Sequence, residues 1–161
     1  MYGFLSWIES SALGYAMRES SPWTYPVVNL VHLLGVATLF GSVLVIDLTL
    51  IRVGRRTSLP AIAAAAAPIS KAGFLLAAVS GMGLLASNAT EYQGNPFFLI
   101  KFPIIALGLM NAVLIGRSAA WRALDERPLT STETRSLGRL GALSLACWLA
   151  AVAAGRLIGY W

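Results

Sequence analysis

Five ionisable residues lie inside or at the edges of long apolar runs: His32, Asp47, Lys71, Lys101 and Arg156. Such groups are expensive in a bilayer unless paired, hydrated or used, so they are the first candidates for chemistry. Counted inward from Pro26, Pro96 and Trp161, the residues His32, Lys101 and Arg156 each lie about 7 to 9 Å below one membrane surface. Three helices thus offer cationic or hydrogen-bonding groups at one depth, which suits an anion or a ligand with acidic substituents. Arg18 is expected to hang over the same place, and Glu9, Glu19 and Glu91 are the acids able to neutralise part of it. Asp47 and Lys71, each about one turn from the opposite surface, are expected to pair there.

A histidine in a membrane helix also suits axial ligation of haem iron, with Lys and Arg near the surface holding the propionates. Asn29, His32, Val36, Leu39, Val43 and Asp47 share one stripe of their helix, with Gly35, Gly41 and Ser42 close by. Small residues there, and Gly73, Ser80 and Ser87 on the next helix, admit close approach of a neighbouring helix or a flat macrocycle. For the glycines alone, helix packing is the first expectation. Met82 has a compatible depth for a His/Met iron or, with His32, a Cu(I) site; otherwise it contacts lipid or fills the core. The chain has one histidine, so a dimer pairing two copies of His32, or five-coordinate iron, are the other solutions. The candidate cofactor-binding residues are therefore His32, Lys101, Arg156 and Asn29, and the candidate metal ligands His32 and Met82. Haem b is the first cofactor expected and copper the weaker alternative; a hydrogen-bonded core histidine is the plain reading of His32.

The elements that must position these groups follow from composition. Of 161 residues, 57% are hydrophobic and 12% charged, where a soluble domain carries about a quarter charged residues. A bilayer crossing takes about 20 apolar residues, and such runs fall at about 27–51, 69–87, 97–117 and 138–160. Residues 3–19 alternate apolar and polar groups at helical spacing around Trp7, which predicts a helix lying on the membrane. The expected fold is a single all-α domain: an integral membrane four-helix bundle with an N-terminal interfacial amphipathic helix. Pro26 suits a first helical turn, Ser58-Leu59-Pro60 a cap and start, Pro68 a kink, and Thr130 with Glu133 a capping box.

Arg52, Arg55, Arg56, Arg117, Arg122, Arg127, Arg135 and Arg139 fall on one side of the predicted crossings. By the excess of Lys and Arg in cytoplasmic connections, that side faces the cytoplasm of a bacterial inner membrane and both termini face the periplasm. The tyrosines, with Trp7, Trp23 and Trp161, form an aromatic belt on the termini side, while Trp121 marks the other. The formal charge of +5 resides in these connections rather than in a basic stripe, which argues against nucleic acid. Cys147 alone supports neither a disulfide framework nor a CxxC site within one chain, and the N-terminus lacks the pattern of a cleaved signal peptide.

The stretch NLVHLLGVATLFGS, residues 29–42, followed by a basic turn, resembles the first helix of bacterial membrane proteins of the CopD and HemJ type. NPFFLIKFPIIALGLMN, residues 95–111, resembles a later HemJ-type helix in which one Lys enters an apolar run. The chain is most similar to an uncharacterised family of four-helix bacterial membrane proteins with a serine-rich start, an HLLG helix and an NPxFxxK helix. The HemJ resemblance implies haem-binding oxidation of protoporphyrinogen, with His32 as ligand and Lys101 as the embedded Lys. The CopD resemblance implies copper handling and favours His32 with Met82. The chain lacks further histidines and methionine-rich motifs of a dedicated copper importer, and its N-terminal helix and Arg156 match nothing in the HemJ pattern.

The expected function is a membrane haem protein performing electron transfer or oxidation of a tetrapyrrole-like or quinol substrate near the outer face. The alternatives are a small oligomeric permease for an anion or metal ion, gated by Asp47 and Lys71, and a non-catalytic assembly subunit. Expected partners are the lipid bilayer and either a second copy or a larger membrane complex. The sequence holds no Walker loop, HExxH segment or Ser/His/Asp set, so hydrolase and nucleotide-driven classes rank low.

Overall fold

A computed structural model of the chain describes residues 2–51 and 59–161. The fold is all-α: α1 (Tyr2–Glu9), α2 (Ala12–Glu19), α3 (Thr24–Ile51), α4 (Leu59–Ser87), α5 (Pro96–Arg117), the short α6 (Ala119–Arg122) and α7 (Ser131–Leu157). Single 3₁₀ turns cover Ala89–Tyr92, Ala123–Asp125 and Ile158–Tyr160. The arginines Arg52, Arg55 and Arg56 and the cap expected at Ser58 lie outside the described residues.

Helices α3, α4, α5 and α7 are long and apolar enough to cross a membrane. Only 17 to 28% of each apolar stretch is buried within the chain. Leu33, Leu34, Leu75, Leu107 and Leu114 are among the many large apolar side chains facing outward. A soluble bundle buries one apolar stripe per helix, whereas these helices are apolar all round. Helix α3 is rich in Val, Ile and Thr, which on propensity alone lean towards strand. In lipid every backbone N–H must be satisfied within the segment, so the helix prevails.

Local signals explain the ends. Pro26 falls in the first turn of α3, where its missing N–H is harmless. Asn95 caps α5, its Oδ1 accepting from the N–H groups of Phe97 and Phe98, with Pro96 as first helical residue. Gly94, at φ 81°, makes the turn before it. The capping box at Thr130 and Glu133 is present at the start of α7. Pro68 stays inside α4, which begins earlier than the lipid-embedded stretch expected from residue 69.

Residues 3–19 form two helices rather than one. The Ser11 hydroxyl accepts from the Gly14 N–H and caps α2, while the Ser10 hydroxyl folds back onto the Trp7 carbonyl. Serines compete for backbone hydrogen bonds in this way and break a helix that apolar periodicity alone would continue. At Gly14 a Cβ would lie 2.2 Å from the Glu9 carbonyl oxygen and 2.7 Å from that of Ala86, so the glycine lets α2 close against both α1 and α4.

Among the long helices α3 packs most extensively on α4, α7 packs on α3, and α5 packs on α7. No comparable α4–α5 interface closes the ring among the described residues. The α3–α4 contact is backbone on backbone: a Cβ at Gly35 would lie 2.6 Å from the Ala77 nitrogen, and one at Gly73 2.5 Å from that of Leu39. These glycines are packing positions and leave no slot for a macrocycle between α3 and α4. Gly141 brings α7 onto α3 at Leu50 in the same manner. Leu50, Leu59, Ile115, Ala120 and Leu137 form the apolar core at the end opposite the termini, with Trp121 against it.

Gly73→Ala should lower the stability of the purified protein by about 1–3 kcal/mol, because the clashing atoms are backbone and cannot turn aside. Gly41→Ala, with nothing within 4 Å of the new methyl, should be neutral or stabilising by up to about 1 kcal/mol. Unfolding midpoints of the two variants in the same detergent check this; equal midpoints would contradict the packing described.

Candidate functional site

The imidazole of His32 lies half-buried against α4. Its Nδ1 is 2.9 Å from the Ala77 carbonyl oxygen and 3.3 Å from the Ser80 hydroxyl. A carbonyl can only accept, so the 2.9 Å contact is a hydrogen bond with Nδ1 as donor. A neutral ring so bonded keeps the lone pair on Nε2. Ser80 gives its own hydrogen to the Leu76 carbonyl and can receive from Nδ1 as well. Gly81 makes room for the ring, since a Cβ there would lie 3.0 Å from Cε1 of His32.

Lys101 is half-buried on α5. The tip of its side chain lies against Gly155 of α7, where an added Cβ would sit 3.3 Å from Nζ and 3.6 Å from Cε. The acids expected to neutralise this cluster are engaged elsewhere or exposed. The Glu9 carboxylate accepts from both the backbone N–H and the hydroxyl of Thr90, each at 2.7 Å. Glu91 meets the side-chain amide of Asn88, and Glu19 is exposed. Arg127 with Glu133 is the one ion pair among the described residues, and it ties the connection after α6 to the first turn of α7. Lys101 therefore has no carboxylate partner among those residues.

The other expected members stand apart. Arg156 is exposed, with its guanidinium 4.6 Å from the centre of the Tyr160 ring and hydrogen-bonded to the Tyr160 hydroxyl. Asn29 lies one turn from His32, half-buried, with no side-chain hydrogen bond among the described residues. Met82 is 57% exposed on α4, so the side chain next to Gly81 turns outward rather than towards His32. Depth alone does not fix rotation: Arg156 turns onto Tyr160 and Met82 turns outward, while Lys101 lies against Gly155 of α7.

Arg18 does not hang over the site. Its guanidinium donates to the carbonyls of Ser87 at 3.0 Å and Ala86 at 3.4 Å, and to that of Glu9 at 3.0 Å. It thereby supplies donors and positive charge to the unsatisfied C-terminus of α4. Asp47 and Lys71 do not pair either. Asp47 is 2% exposed and faces α7, with Ser144 beside it and Oδ2 without a hydrogen-bond partner, whereas Lys71 is exposed on α4. Asn111 bridges helices as expected, donating to the Leu140 carbonyl at 2.9 Å.

Residues 4–161 match the family described as a family of unknown function, DUF6644. The chain belongs to the DUF6644 family. No curated protein and no solved structure matches it. The expectation of an uncharacterised family is thus met, while the CopD and HemJ likeness receives no support from the comparisons. Within this DUF6644 protein, the parts of the site that sequence reasoning did not identify are the Ala77 carbonyl, which leaves no side-chain signal, and Gly81 and Gly155. The serine at position 80 was visible in the seven-residue spacing on α4.

The two Thr90 hydrogen bonds, the backbone one foremost, hold the Glu9 carboxyl below its ordinary value of 4.5. Its contribution to docking α1 is present in full above that ordinary value and is lost as pH falls through the lower, folded one. Hydrogen exchange at the Thr90 amide, corrected for the intrinsic rate, should therefore gain protection as pH rises through this range. Glu9→Gln should reduce that protection at neutral pH and flatten the response. A wild-type profile without this rise would remove the assigned role.

Proposed function

We propose that this DUF6644 protein binds haem b through His32 and serves as a redox protein of the bacterial inner membrane. The observation that carries the reading is the hydrogen bond from Nδ1 to the Ala77 carbonyl. It fixes the ring and directs ligation to Nε2, the arrangement by which a second partner orients a ligating histidine. Lys101, half-buried and without a carboxylate partner among the described residues, would hold a propionate. Bound there, haem supplies one-electron chemistry at iron.

His32, Ala77 and Gly81 keep the ligating edge in place, and Lys101 sets the charge that favours a dianionic porphyrin over a neutral ligand. The substrate would be an electron donor or a tetrapyrrole-like or quinol compound arriving from the lipid, near the surface bearing the termini. The arginine-rich connections at the other end support a periplasmic position for that surface. With one histidine in the chain and Met82 outward, any further histidine held to the haem would be His32 of another copy in a homo-oligomer. A copper centre has less support, since His32 and Met82 do not converge.

Purified with haem precursor supplied during expression, the protein should show a Soret band that shifts on dithionite reduction. His32→Ala should abolish it. Lys101→Gln should retain the band and weaken haem affinity by about 10- to 100-fold, the equivalent of one charge-assisted hydrogen bond. A colourless, folded wild type, or a spectrum unchanged by His32→Ala, would overturn the assignment.

A further inference from the structure

Arg135 and Arg139 sit one turn apart on α7 and, with Thr132, Ser136 and Leu140, line an open hollow of about 450 Å³. Both arginines are exposed, and neither has an ion-pair partner among the described residues. Glu133, the nearest acid along the helix, is occupied by both guanidinium nitrogens of Arg127, at 2.7 and 3.0 Å, and by the capping box. Among the described residues no carboxylate compensates the two arginines.

The depth of the hollow identifies what it faces. Helix α7 has 27 residues and spans about 40 Å, about 10 Å more than the hydrocarbon core. The hollow occupies its first turns, at the level of the lipid headgroups. One turn deeper, Leu143 is 52% exposed. Along this side of the helix the chemistry runs from hydroxyls and guanidinium forks to aliphatic side chains. A phospholipid runs in the same order, from phosphodiester through glycerol to acyl chain. Two guanidinium forks match the oxygens of one phosphodiester and disfavour a headgroup that carries its own ammonium.

We propose that this hollow is a binding site for an anionic phospholipid, with Arg135 and Arg139 holding its phosphate and Leu140 and Leu143 its first acyl carbons. Native mass spectrometry of the delipidated full-length protein, titrated with phosphatidylglycerol, phosphatidylcholine or inorganic phosphate, tests it. The wild type should take up one phosphatidylglycerol about tenfold more tightly than phosphatidylcholine, a difference of about 1.4 kcal/mol. The double variant Arg135→Gln/Arg139→Gln should lose that preference, and Arg139→Gln alone should reduce it. Arg122→Gln, which removes an exposed charge from the same end of the chain, should leave it intact. Circular dichroism on each variant confirms the helical fold. Equal losses in Arg122→Gln and the double variant would mean diffuse attraction and overturn the site. So would an unchanged preference in the double variant, or inorganic phosphate binding as tightly as the lipid.

Discussion

The backbone contact between α3 and α4 at Gly35 and Gly73 governs the geometry of everything above it. His32 is one turn from Gly35, and Ala77 one turn from Gly73, so the same approach that removes both Cβ atoms brings the imidazole to the Ala77 carbonyl. Were the helices spaced by alanine or leucine, Nδ1 would fall short and the ring would be free to rotate. The hydrogen bond that orients His32 is thus a by-product of helix packing. In lipid such packing rests on dispersion and close fit, because apolar surface gains little by leaving apolar solvent.

Much of the fold was legible because bilayer physics leaves few choices. Apolar runs of the required length in a chain of this composition must be helices, and Asn95, Pro96, Thr130 and Glu133 mark their starts with side chains whose roles depend on local spacing. The break at Ser10 and Ser11 was less legible, since periodicity continues across it while the serines bond to nearby backbone. The site was legible in depth but not in rotation. A residue's distance from a helix end follows from counting, which placed His32 and Lys101 at one level. Which way it points depends on the neighbour chosen, and this turned Asp47 to α7, Lys71 and Met82 outward, and Arg156 onto Tyr160. Backbone acceptors such as the carbonyls of Ala77, Ala86 and Ser87 carry no residue-type signal at all.

Charge is handled differently at the two ends. At the end bearing the termini, Arg18 and Glu9 bind backbone groups and lock α1 and α2 over the α4–α5 connection. That use of the acids leaves Lys101 without a counter-ion among the described residues. At the other end Arg127 takes Glu133, and Arg135 and Arg139 stand on the surface of α7 without an ion-pair partner among the described residues. In both places a structural role for a carboxylate is what exposes a neighbouring cation.

The order in which the helices touch also bears on how the chain is made. α3 can dock on α4 as soon as both have emerged, whereas α5 finds its principal partner only in α7. At about 5–20 residues per second, the interval between synthesis of the two is several seconds. Throughout it Lys101 and Asn111 lack their α7 neighbours, Gly155 and the Leu140 carbonyl. A nascent α5 is therefore the segment that would depend most on a membrane insertase or on water retained at the translocon.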